Sequence, residues 1–297
     1  MTSFDDLQAR FTAAELAALG LTAPRGRRLQ PALMLPTRDD QALWDLFDAI
    51  PLDTPIYTPS DGQFFTAYAA LIGALVAGTN PLDPIAAAKR RLADWGTKPP
   101  DWSIGCAGLL KLLKAAPSLS FPFTSKADPG PGYWGLWTDS PPASGPSAQF
   151  AAGDVTAALS FAHALNFAPA PGDWYVPSAL SLAYATRSGP PWPGGSAVTW
   201  DSTFGPAGTM PRFLAGLTVV SEIGCRSAST AAFSPADQAL IRLSAALGLW
   251  PHYLSGAGTE TGVSFDGSGR ISIATTSQPK IPLAIIATVL TAGEYLA

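Results

Sequence analysis

The sequence predicts an α+β fold: a helical N-terminal part, residues 1–117, followed by a mixed portion, residues 118–297, built on an antiparallel sheet. Three observations carry this. Up to Pro117 apolar residues recur at spacings of three and four between cap-like residues. Beyond Ser118 apolar and smaller residues alternate between Gly- and Pro-rich turns, and the chain ends as a hairpin and an apolar strand. Periods of 3.6 and 2 are those of helix and strand, and helices followed by strands indicate the α+β class. The two parts are also compatible with one continuous domain.

The helices are signalled mainly by their ends. Ser3 with Asp6 and Thr12 with Glu15 have capping-box spacing, and Gly20 closes the second of two short helices. Thr37 is the expected cap of a helix with Leu43, Leu46, Phe47 and Ile50 on one face, ended by Pro51. Ser60 and Gln63 repeat the spacing before an apolar helix over 62–77. Asp83-Pro84 pairs a cap with a first-turn proline for a helix ending at Gly96, and another runs from Ile104 to Ala116.

The second part reads differently. Phe121 to Phe123 and Tyr133 to Trp137 suit short strands between turns, and Val155 to Phe167 has the alternation of a half-buried strand. Leu217 to Cys225 predicts a further strand, and Ser234-Pro235-Asp237 a helix with Leu240, Ile241, Leu243 and Leu247 on its buried face. Val263 to Ile273 is a hairpin turning at Asp266 to Gly269. Ile281 to Leu290 is the last strand, with Pro282 at its start, where a missing donor is tolerated.

Composition narrows the chemistry. The chain carries 18 Lys and Arg against 22 Asp and Glu, a formal charge of −4, with nine Trp, fourteen Phe and seven Tyr. A nucleic-acid partner is not expected, because phosphate-backbone binding needs an excess of basic residues, and Arg25, Arg27, Arg28 and Lys89, Arg90, Arg91 form only short clusters. No metal or other cofactor is expected either: the two histidines lie far apart, and neither GxxxxGK[ST] nor GxGxxG occurs in a strand-to-helix context. Cys106 and Cys225, without CxxC partners, read as free buried thiols. Three charges and no apolar run between Met1 and Phe11 predict synthesis in the cytoplasm, with release by a non-classical route left open.

For catalysis the candidates are few. His163 falls on an apolar strand face, where an imidazole satisfied by neighbours is the simpler reading. His252, between Pro251 and Tyr253, is the better acid or base and is placed to meet a helix C-terminus. Asp lies beside Trp in Trp44-Asp45, Asp94-Trp95, Asp101-Trp102, Asp173-Trp174 and Trp200-Asp201, with Asp139 two after Trp137. Aromatic platforms with carboxylates suit sugars, and Asp201 with Glu222 is the acid pair of choice.

The leading expectation is a non-enzymatic interaction protein, toxin-like, adhesive or self-assembling, docking on a protein partner or on itself. Its candidate binding residues are Trp134, Trp137, Trp192 and Trp200, since aromatic anchors dominate interfaces. A carbohydrate or lipid surface remains open as partner. The alternatives are a carbohydrate-active hydrolase and a protein that inserts into membranes through residues 62–77.

Overall fold

The computed structural model describes residues 4–21, 25–80, 82–125, 134–138 and 140–297. Its first part runs through helix α1 (Phe4–Ala18), strand β1 (Gly26–Met34), α2 (Asp40–Asp48), β2 (Ala49–Pro51), β3 (Pro59–Gln63), α3 (Phe64–Ala74), α4 (Pro84–Trp95) and α5 (Cys106–Ala115). The second part adds β4 (Leu119–Thr124), α6 (Gly145–Ala152), β5 (Val155–Phe167), α7 (Pro177–Ala185), α8 (Trp200–Phe204), β6 (Arg212–Ala232) and α9 (Pro235–Ser244). It finishes with β7 (Thr259–Phe265), β8 (Arg270–Ser277), β9 (Leu283–Thr291) and α10 (Ala292–Leu296). This is the α+β class, with the helices mostly N-terminal and one antiparallel sheet of seven strands.

Local chemistry explains most boundaries. Asp83 accepts from Ala86 N and Ser234 from Asp237 N, each followed by a first-turn proline, and Gly96 closes α4 at φ 70. Other boundaries differ from expectation. Thr12 caps nothing: its hydroxyl donates to Gln8 O inside a single uninterrupted α1, and Glu15 is buried. Ser3 lies outside the described residues. Asp39 rather than Thr37 caps α2, with its side chain accepting from Ala42 N.

The expected 62–77 helix is shorter, because residues 59–63 pair as β3 with β2 and Leu75 ends α3 in extended backbone. Among the described residues no helix is long and apolar enough to cross a membrane. Gln63 provides no side-chain cap for α3; the Asp48 carboxylate does, accepting from Phe65 N at 2.8 Å. Asp40 serves α5 in the same way, accepting from Cys106 N at 2.7 Å. The two ends of α2 thus place carboxylates against the electropositive starts of two other helices.

In the sheet the order is β1-β9-β6-β5-β4, and β8 and β7 extend from the far half of β6. β6 pairs β9 from Arg212 to Val220 and β8 from Gly224 to Ala232, while β5 lies along its other edge from Leu217 to Ser229. The sheet therefore forks at residues 221–223. On its two sides lie two apolar cores. One gathers Phe47, Tyr68, Trp102 and Trp174 under α2 to α5 and α7. The other gathers Phe11, Phe150, Phe161 and Trp250 beneath α1 and α6.

β6 serves both cores. Leu217 and Val219 pack in the first, whereas Ile223 and Cys225, of the same parity along the strand, pack in the second. Side chains of one parity share a face of a regular strand, so the surface they meet changes at Ser221 and Glu222. There Glu222 has φ 52, a left-handed conformation uncommon for a residue with a Cβ.

Leu240, Leu243 and Leu247 were expected inward with Ile241. Only Ile241 is buried; the three leucines are 43%, 78% and 52% exposed. Periodicity marks an apolar stripe but not which stripe is covered, and α9 is apolar on more than one side. Cys106 and Cys225 are free and buried, and burial raises their thiols to about 11 and about 12. Both are poor nucleophiles near neutral pH.

Candidate functional site

Two regions concentrate ionisable groups. The first is buried between α1, β1 and the segment after α9. Glu15 comes from α1 and Arg28 from β1, with Arg28 Nε 3.2 Å from Glu15 Oε2 and His252 Nε2 3.3 Å from Glu15 Oε1. Arg28 Nη2 lies 3.5 Å from His252 Nδ1 and donates to Pro251 O, while its guanidinium sits 5.0 Å from the centroid of Phe11.

Burial holds the His252 imidazolium well below its usual range, and the Arg28 charge adds to this. The same burial raises Glu15 to about 7, opposed by Arg28. A neutral His252 then places its Nε2 hydrogen toward Glu15 and its Nδ1 lone pair toward Arg28. His252 does not meet a helix end, as the sequence suggested; it is enclosed, and none of the three residues lines a described cavity. A base without access to substrate has a structural role.

The second region is a cleft at the sheet fork, about 410 Å³ in volume. α5 supplies Leu110, Lys111, Leu113 and Lys114; β5 supplies His163, β6 Ser221 and Glu222, and the loop between β8 and β9 Pro279 and Lys280. His163 donates through Nδ1 to the Ala116 carbonyl at 3.0 Å, the only role open to that nitrogen against a carbonyl, and the neighbouring Ala164 N donates to Pro117 O. These bonds tie the end of α5 to β5. Lys280 also has positive φ, 71, so among the described residues two of the three left-handed ones other than glycine line this one cleft.

The acid pair is not assembled there. Glu222 lines the cleft, but Asp201 belongs to α8, not to a strand end, and lines none of the described cavities. The four tryptophans divide between the cores. Trp134 packs edge-on to Tyr253 with centroids 5.5 Å apart, and Trp137 bridges to Leu249. Trp192 is buried beside Phe204, and Trp200 donates to Tyr184 O while Arg187 covers its ring at 4.3 Å. None is among the exposed large hydrophobic residues, and those that are exposed among the described residues are aliphatic.

The Asp neighbours of Trp have structural partners: Asp45 accepts from Gln41, and the Asp101 carbonyl accepts from Trp174 Nε1. Asp139 and Tyr133 lie outside the described residues. Sequence reasoning passed over Lys111, Lys114 and Lys280, because the cleft collects them from separate segments. Spacing alone shows only that Lys111 and Lys114 share a face of α5.

A further concavity, about 880 Å³, lies on the open face of β4, β5, β6, β8 and β7. Pro122, Thr156, Ala158, Ala274 and Ser264 line it, and Arg226 is its one ionisable residue. It offers contact surface and little acid–base chemistry. No known protein family, curated protein or solved structure matches this chain.

Proposed function

We propose that the protein acts by non-covalent association, as a self-assembling interaction protein whose contact surface is the leucine row on α9 and the 3-10 turn Ala245–Leu247 that follows it. The exposure of Leu240 and Leu243 on α9, and of Leu247 in the turn after it, carries this reading. Each buried leucine contributes about 1.5 to 3 kcal/mol when removed from water. A second copy is the natural occupant, because a symmetric dimer places the same patch against itself. Antiparallel contact of two α9 helices also sets the Asp237 end of one beside the Arg242 end of the other. The contact groups in this reading are aliphatic, in place of the tryptophans that composition first suggested.

Light scattering across a concentration series tests it. The protein is expected to associate, and Leu243→Asp to shift the dissociation constant upward by about thirtyfold or more, since a lost central anchor is worth about 2 kcal/mol or more. The variant's unfolding midpoint should match that of the parent at concentrations where both are monomeric. A parent that stays monomeric at high concentration, or a variant that associates equally well, overturns the reading.

A further inference from the structure

We propose that the cleft at the sheet fork is a binding site for a small phosphate monoester with a short apolar body. Four features of the cleft point to it. Its charge is unbalanced: Lys111, Lys114 and Lys280 face it against Glu222 alone, and none of the four forms an ion pair among the described residues. The excess of two positive charges matches a phosphate monoester, which carries about −1.5 to −2 near neutral pH. In a chain with few charges and more acids than bases, three unpaired lysines converging from two elements form a specific arrangement.

The walls are apolar where the head group does not reach. Leu110, Leu113 and Pro279 line the same space, and its volume lies within the roughly 300 to 1,000 Å³ typical of small-molecule sites. Ser221 is 4% exposed, yet it lines the cleft and its hydroxyl bonds no described residue. A hydroxyl that reaches the cleft and has no protein partner is a donor available to a ligand oxygen. Finally, the backbone at Glu222 and Lys280 is held in a sparsely populated region, and such residues cluster at ligand sites. Glu222 fits at the rim, where it disfavours ligands with a third negative charge.

The site is independent of the leucine row, and so is its test. Hexyl phosphate is titrated calorimetrically into the full chain at low ionic strength, with hexanol and hexanoate as comparison probes. Saturable binding is expected with a dissociation constant below about 1 mM, and hexanoate should bind at least about fivefold more weakly. Lys114→Gln combined with Lys280→Gln should weaken hexyl phosphate by about tenfold or more, as two charge-assisted contacts are lost. Because both lysines are exposed, the ligand-free unfolding midpoint should hold, and Leu243→Asp should leave the affinity unchanged. No saturable binding up to about 10 mM, equal binding of hexanol or hexanoate, or an unaffected double variant each overturns the proposal.

Discussion

The two histidines of this chain sit in opposite settings. His252 is enclosed with Glu15 and Arg28, three ionisable groups within hydrogen-bonding range of one another and none reaching a described cavity. His163 is only partly buried, holds a backbone carbonyl, and opens onto a cleft where three lysines lack partners. The denser constellation resembles catalytic machinery, yet it closes the join between α1, β1 and the segment after α9. The looser one is open to solvent. Accessibility, more than the density of polar groups, separates a binding site from a structural joint.

The largest effect expected of that contrast is at Arg28. Arg28→Met leaves Glu15 buried without its cation and should lower unfolding free energy by about 3 to 5 kcal/mol, because breaking a buried pair strands a charge. Adding Glu15→Gln should recover part of the loss. Urea unfolding of the two variants decides it, and an Arg28→Met chain within about 1 kcal/mol of the parent would show the cluster to be incidental.

The pH dependence sharpens the comparison. Glu15 is raised from 4.5 to about 7, so its contribution to stability is full below pH 4.5 and is lost as pH rises through 7. His252 is lowered from 6.5, so its contribution is full above 6.5 and is lost as pH falls toward the depressed value. Between 4.5 and 6.5 the two oppose: the unfolded chain protonates the histidine and the folded chain the glutamate, one proton each. Glu15→Gln removes one side of the balance. Relative to the parent, that variant should lose about 1.4 kcal/mol per pH unit below pH 6.5 in denaturant unfolding. Parallel profiles between pH 7 and 5 would contradict the coupling.

The smallest effect is expected at the exposed member of the contrast. His163→Gln keeps a donor for the Ala116 carbonyl and should change stability by less than about 1 kcal/mol. A thermal midpoint shifted much further would mean that His163, like His252, holds the fold together.

Much of the fold was legible because its signals are local. Asp83-Pro84 and Ser234-Pro235 announce helix starts, the alternation from Val155 to Phe167 announces β5, and Asp266 to Gly269 turns the β7–β8 hairpin. β1 was not legible: its sequence GRRLQPALM, with two arginines and a proline, has neither period, and its strand character depends on β9. The capping of α3 and α5 by Asp48 and Asp40 was hidden for the same reason, since donor and acceptor lie 17 and 66 positions apart. For the site, single residues such as Glu222 and His163 could be nominated, but their company could not. The fork that gathers them exists only once β6 exchanges one neighbour for another.

The pairing of β1 with β9 also sets an order of events at the ribosome. Gly26 finds its partner in Thr288, and Arg28 its neighbour in His252, so residues made early must wait for residues made late. Contacts this far apart in sequence slow folding, because chain entropy is lost before the contact forms. Until β9 is made, β1 presents open backbone donors and acceptors, and α1 exposes Phe4, Leu7 and Phe11 with no completed sheet to cover them. The nascent chain is therefore vulnerable to wrong partners until β9 has been made, and β9 is the piece that ends the wait.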